Sequence, residues 1–374
     1  MKRKLFLAVF AALLTACAQK IQIEMANTSH IDRTENMVEI DWQFFAGFNP
    51  DSIIVCNDMG MEIPHQVLYN GGDAPLSVLF PATVPAHSRK IYTLKAGTPK
   101  TCAAKTFGRQ VPERKDDFAW ENDRVAYRVY GPALADEYPG NGYDLWLKKT
   151  EALIIDQFYK DDLSGVASYH VDHGDGLDCY KVGHTLGAGA IAPFADNQIW
   201  VEGHYTTVKI LDSGILRTSF ELTYDSVTVA DKVWSKKLKI SLDAGSQFNK
   251  AEVQYSGNGE ILNLAAGIYL HKERGIIVHD LEKGMISYSE NAVSDTGVPA
   301  GRNYVGIVFT TAVKNIFQDE THIAGVVEAG EKPLVYYFGG GWSQWGFASD
   351  GDWQKHVENF SERLRCPLEV RVLQ

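Results

Sequence analysis

The stretch Ile215-Leu216-Arg217-Thr218-Ser219-Phe220-Glu221-Leu222-Thr223-Tyr224, followed at short intervals by Lys237–Leu242 and Ala251–Tyr255, reads as consecutive long strands. Only brief turns separate them, which is the signature of an antiparallel meander. Working outward, Ile199–Ile210 extends the run upstream. Leu262–Leu270, Gly275–His279, Tyr304–Thr310, His322–Val327 and Leu334–Phe338 continue it downstream. Ten or more antiparallel strands must curl or divide into packed sheets. One helix interrupts the pattern near the end: Trp353, Val357, Phe360 and Leu364 recur at helical spacing over 351–364. Asp350 is placed to cap it and Pro367 to stop it. The expectation for residues 105–374 is a large antiparallel β-sandwich with one C-terminal helix.

Upstream, the strands are shorter. Val38, Ile40 and Trp42 alternate with Glu39, Asp41 and Gln43, the period-two pattern of a half-buried strand. Further candidates at Ser52–Cys56, Gln66–Tyr69, Leu76–Phe80 and Lys90–Leu94 are punctuated by Asn, Asp, Gly and Pro. About six short strands in this span read as a small Ig-like sandwich over 17–100, and Gly97-Thr98-Pro99-Lys100 reads as the linker. The fold class is therefore all-β, two sandwiches in series.

The first residues have another purpose. Lys2, Arg3 and Lys4 precede the apolar run Leu5–Leu14, which has the length of a signal-peptide core and is too short to span a bilayer. The run ends in Leu14-Thr15-Ala16-Cys17, which resembles the lipobox of bacterial lipoproteins. That resemblance implies cleavage after residue 16, acylation of Cys17, and attachment to the outer membrane, facing the periplasm, through the lipid alone. The full chain of 374 residues carries 36 Lys plus Arg against 47 Asp plus Glu, a net −11. Loss of residues 1–16 removes three cations and leaves −14. An acidic balance of this size argues against nucleic acid as a partner. An oxidising compartment permits a bridge between Cys56 and Cys102, and no CxxC pair points to thiolate zinc.

Three stretches concentrate chemistry. Tyr169-His170-Val171-Asp172-His173-Gly174-Asp175-Gly176-Leu177-Asp178-Cys179-Tyr180-Lys181 is the densest. His170 or His173 can serve as general acid or base there, with Tyr180 as proton donor. The same loop can be read as a calcium site built from Asp172, Asp175 and Asp178, although the spacing is not that of an EF-hand, or as a hydrophilic turn. No other cofactor is indicated. The second stretch runs from Arg114 to Arg124 and includes Trp120 and Glu121. Arg114 can clamp a carboxylate, Trp120 can stack on a sugar face, and Glu121 is a candidate acid–base group. The third, Phe338-Gly339-Gly340-Gly341-Trp342-Ser343-Gln344-Trp345, sets Trp342 and Trp345 three apart after a glycine run, either as sugar platforms or as packing for the helix. Period two also puts Arg217 with Glu221, and Tyr205 with Lys209, on shared faces, as cleft-lining sets or as ordinary sheet surface. There is no GxSxG elbow, P-loop, HExxH or strand-borne GxGxxG.

Val111–Asp123, the loop His170–Gly183 and Gly340-Gly341-Trp342-Ser343, with Asp32-Arg33 and Val38-Glu39-Ile40 upstream, resemble the lipoproteins grouped as domain of unknown function family 4861. The resemblance covers nearly all the mature chain. It implies a galactose-mutarotase-like sandwich and company with pectin- and uronate-degrading proteins, but no settled activity. The expected function is action on uronic-acid-containing oligosaccharides by β-elimination or hydrolysis. In elimination Arg114 or Arg217 would neutralise the uronate, His170 or His173 would take the proton, and Tyr180 would protonate the leaving oxygen. A sugar mutarotase or epimerase and a non-catalytic glycan-binding lipoprotein are the alternatives.

Overall fold

A computed structural model describes residues 20–373, apart from 138–139, 141, 258–260, 273–274 and 331. The signal segment and Cys17 lie outside the described residues. Within them the chain is nearly all β, with two helices, α1 (Ile155–Leu163) and α2 (Asp350–Arg365).

The centre is an eight-stranded antiparallel sheet in which Arg217–Val229, Lys232–Asp243, Phe248–Ser256, Leu334–Trp342 and Pro299–Phe309 lie side by side. Alternation along these strands sorts the side chains. Phe220, Leu222, Leu238, Ile240, Ala251, Val253, Tyr336, Phe338, Val305 and Ile307 share one buried core, while Arg217, Ser219, Lys239, Ser241 and Lys250 project from the opposite face. Two five-stranded sheets cover the apolar face. One is built from the strands between Thr106 and Asp178, the other around Ala188–Ala195, Asn263–Tyr269 and His322–Glu328. Aromatic contacts join the layers: Phe118 meets Phe220 at 4.2 Å between ring centroids, and Tyr127 meets Phe338 edge-on at 5.4 Å. Such pairs add roughly 0.5–1.5 kcal/mol each beyond the area they bury.

The other face of the eight-stranded sheet is covered at one end by α2. Trp353 and Val357 pack there on Phe248, Tyr304 and Phe347. The cap of α2 is Ser349, whose hydroxyl accepts from the Asp352 amide, rather than Asp350. Asp350 instead takes both nitrogens of the Arg302 fork at 3.0 and 2.8 Å.

The N-terminal strands form a small two-sheet sandwich, five strands against three, with its own core around Ile23, Phe45, Val55, Phe80 and Leu94. One of its strands comes from far away: Glu369–Leu373 pairs antiparallel with Lys20–Asn27. Gln66 docks the small sandwich on the large one. Its side-chain oxygen accepts from the Leu216 and Arg217 amides at 2.8 and 2.9 Å, and its nitrogen donates to the Arg217 carbonyl at 3.0 Å.

Three expectations change. Ile199–Ile210 is not one strand: only Gln198–Ile199 and Thr207–Asp212 are extended ladders. The residues between are tied inward, Trp200 Nε1 to the Ala195 carbonyl and Glu202 to Lys236 and Tyr255. Helix α1 had no distinct sequence signal. Cys56, Cys102, Cys179 and Cys366 are all free thiols, so Cys56 and Cys102 are not bridged.

Candidate functional site

Glycine geometry builds the histidine-rich loop. Gly176 has φ 133°, and a β-carbon there would sit 2.0 Å from the Leu147 carbonyl oxygen, so only glycine lets Gly176–Asp178 pair with Asp144–Lys148. The loop is then closed on itself by Asp178 N donating to Tyr169 O at 2.8 Å. Behind it stands Arg128, buried, donating to Asp144 at 2.5 Å, to Asp178 at 2.8 Å and to the Tyr169 hydroxyl at 3.1 Å. The Tyr130, Trp146 and Tyr169 rings surround its guanidinium at 5.1–5.5 Å. Burial pushes Asp178 up to about 7, with Asp144 adding and Arg128 and His170 opposing. Asp117, in the same region, is pushed up to about 6 by burial against Arg128 and Arg114.

His170 lies at the outer edge of this network. Its Nδ1 is 2.9 Å from the Asp178 carbonyl, 3.6 Å from Asp178 Oδ2 and 3.7 Å from Asp295 Oδ2, and its side chain is 35% exposed. A carbonyl can only accept, so Nδ1 carries the proton in the neutral ring and Nε2 keeps its lone pair. Among the described residues Nε2 has no hydrogen-bond partner. Asp295, on the Ser294–Val298 turn, is held by Lys181 at 3.1 Å. Asp172 is held by Lys149 at 2.5 Å, and the Lys149 ammonium also lies 5.7 Å from the centre of the Trp342 ring. The histidine turn and the glycine–tryptophan segment therefore do approach one another, with Lys149 between them.

The remaining sequence candidates fall elsewhere. Glu121 is wholly buried: it pairs with Lys148 at 2.6 Å and accepts the Ile154 and Ile155 amides at 2.9 and 2.8 Å, so it holds the start of α1 and cannot meet a substrate. Burial pushes its carboxyl up and the Lys148 ammonium down. Trp120, with no exposed surface, donates to Asn249 Oδ1 at 2.7 Å in the core. Trp342 is 1% exposed and donates to the Ala300 carbonyl at 2.5 Å. Neither ring offers a sugar platform, whereas Trp345 is half-buried with Arg124 5.4 Å over one face. Tyr180 is buried with its hydroxyl given to the Gly187 carbonyl at 3.1 Å, which removes it as a proton donor to a ligand. Tyr205 is likewise buried, donating to the Asp116 carbonyl.

Arg114 is drawn to Asp117 at 3.4 Å. Arg217 lies on the other face of the eight-stranded sheet, forked onto Asp243 at 2.5 and 2.9 Å and bound to Glu39 at 2.7 Å. Lys209 stands opposite Glu221 and abuts Gly71 of the small sandwich. His173 sits on the exposed tip of its loop, its Nε2 3.1 Å from the Ser168 carbonyl. The proposed calcium ligands do not converge: Asp172 and Asp178 each have their own cation and Asp175 is exposed, and among the described residues no group of three His, Cys, Asp or Glu side chains could hold a metal.

Asp295 and Lys149 were missed by sequence reasoning, because the fold rather than chain proximity brings Asp295 to His170 and Lys149 to Asp172 of the same loop. The Asp295-Thr296-Gly297 turn was the one available signal.

The family profile described as "Domain of unknown function (DUF4861)" matches residues 25–370. The chain belongs to this family. A relative from Formosa agariphila, named "Uncharacterized protein P7", is 30% identical over 396 residues, with 98% of each chain covered. Among solved structures, the chain is similar to a protein in the glycosyl hydrolase family 38 from Enterococcus faecalis, with TM-score 0.44, 9% identity, and coverage of 95% of this chain and 47% of that one. An α-mannosidase from Enterococcus faecalis V583 follows at TM-score 0.40 and 8% identity, with coverage of 95% and 46%. The DUF4861 chain thus spans about half the length of these two structures.

Proposed function

We propose that this DUF4861 protein acts on oligosaccharides, uronate-containing ones of pectin type among them, at the loop end centred on His170. The supporting observation is the fixed ring of His170: Nδ1 tied to a backbone carbonyl, Nε2 bare, on a side chain that solvent reaches. In the β-elimination reading, Nε2 takes the proton from the carbon beside the uronate carboxylate. The electron pair left behind forms the new carbon–carbon double bond and expels the glycosidic oxygen, which is protonated from solvent rather than by the enclosed Tyr180. Lys181, 70% exposed and 3.1 Å from Asp295, is the neighbouring cation suited to the substrate carboxylate. Arg114 and Arg217 drop out of that role because, unlike Lys181, they are mostly enclosed, with side chains 28% and 18% exposed in their pairs with Asp117, Asp243 and Glu39.

A mutarotase requires an acid and a base on opposite sides of one sugar. The His–Glu pair at this end, His271 and Glu290, is bonded directly at 2.7 Å, which leaves no space for a ring between them. The proposal keeps Cys17 as the lipid anchor at the outer membrane, a part that acyl labelling of wild type and Cys17→Ala checks.

The activity is tested by incubating the protein with oligogalacturonates and other pectic oligomers and following the absorbance of unsaturated products. Wild type should produce them, His170→Ala should be slower by roughly 10²–10⁴-fold, and Tyr180→Phe should stay close to wild type. Full activity in His170→Ala, or no product from any oligomer, would sink the proposal; saturated products would replace elimination by hydrolysis.

A further inference from the structure

On the far side of the eight-stranded sheet from the His170 loop lies a cleft of about 610 Å³. Its floor is the outward face of that sheet, and its walls are the strand Arg33–Asp41 of the small sandwich and the last turns of α2. Cross-strand register lines up Ser219, Ser241, Lys250 and Tyr337 in one row across the floor. Four strands at about 4.8 Å spacing make that row roughly 14 Å long.

The charges on this floor are already matched. Arg217 is closed by Asp243 and Glu39, and Lys239 and Lys250 share Glu252 at 3.9 and 3.0 Å. A polyanion would have to break these pairs and face their carboxylates, and an apolar ligand would strand them. Three polar atoms are unmatched. Gln247 Oε1, His356 Nε2 and, on the α2 wall, Arg363 Nε are buried on side chains that line the cleft, with no hydrogen-bond partner among the described residues. Burial, with Arg363 adding, pushes His356 down to about 4, so its ring is neutral at physiological pH. Beside them stand Tyr337 and Phe360, 5.2 Å apart. Hydroxyl groups that donate and accept in turn, attached to a ring with an apolar face, match the paired charges of the floor and the Tyr337–Phe360 wall, and they can pair with the enclosed Gln247, His356 and Arg363 atoms once those side chains turn toward the cleft.

We propose that this cleft binds a neutral oligosaccharide segment, at a site separate from His170. The binding does not depend on turnover, so it stands or falls independently of the activity proposed above.

Isothermal titration with hexaoses of β-1,4-linked glucose, galactose and mannose, and with a galacturonate hexamer, tests it. At least one neutral hexaose should bind. Lys250→Trp on the floor and Thr34→Trp on the opposite wall should each weaken that binding at least tenfold, and His170→Ala should leave it within twofold. Three results would overturn the proposal: no neutral hexaose binding at millimolar concentration, tighter binding of the galacturonate hexamer, or wild-type affinity in both tryptophan variants with circular dichroism showing them folded. Loss of sugar-degrading activity in His170→Ala with binding intact would separate the two sites.

Discussion

His170 and Asp178 share one closed loop, and Asp178 is the group that makes the loop sensitive to pH. Its folded-state pKa of about 7 lies above the roughly 3.9 of an exposed aspartate. Between those values the folded protein holds a proton that the unfolded chain has released, so stability falls as pH rises from about 4 to about 7. Asp117, at about 6, contributes with the same sign. Urea denaturation of Asp178→Asn across that range should show a shallower decline than wild type; an unchanged slope would mean that Asp178 does not carry the proton. At this scale His170 was legible because so many polar groups crowd its stretch of chain. Arg128, which organises the loop, was not, since it looks like an ordinary strand residue until Asp144 and Asp178 close on it.

Among the elements, α1 shows how a motif that reads as chemistry can be architecture. No side chain of α1 caps its own start. Glu121, from the strand Asp117–Asn122, supplies both acceptors to the first amides and places negative charge at the positive end of the helix. Removing the carboxylate would leave Lys148 charged and enclosed. Glu121→Ala should therefore cost about 3–5 kcal/mol in urea unfolding, and the double variant Glu121→Leu/Lys148→Met should recover much of that loss. A single-variant cost under about 1 kcal/mol would show the pair to be dispensable. Helix α2 is the opposite case: Trp353, Val357, Phe360 and Leu364 announced it from spacing alone, because its apolar stripe is continuous in the chain.

For the whole molecule, the important connection is the return of the chain end to its beginning. Glu369–Leu373 covers the edge of Lys20–Asn27 and so makes the small sandwich depend on residues more than 340 positions away. Truncation after Pro367 should strip hydrogen-exchange protection from Lys20–Asn27 while leaving the eight-stranded sheet protected. Equal loss in both, or none, would show that the final strand is not an independent closure.

The all-β character, the long meander, the terminal helix and the histidine-bearing loop were all written in local pattern, because alternation and helical spacing act over a few residues. The fate of individual polar and aromatic side chains was not. Glu121, Trp120, Trp342 and Tyr180 have the composition of a binding site, but sheet stacking encloses them. Asp295 and Lys149 are unremarkable in the chain, yet the assembled sheets carry Asp295 to His170 and Lys149 to Asp172 of its loop. Burial and partnership are set by what packs on each face from distant segments, and that information exists only once the sheets have assembled.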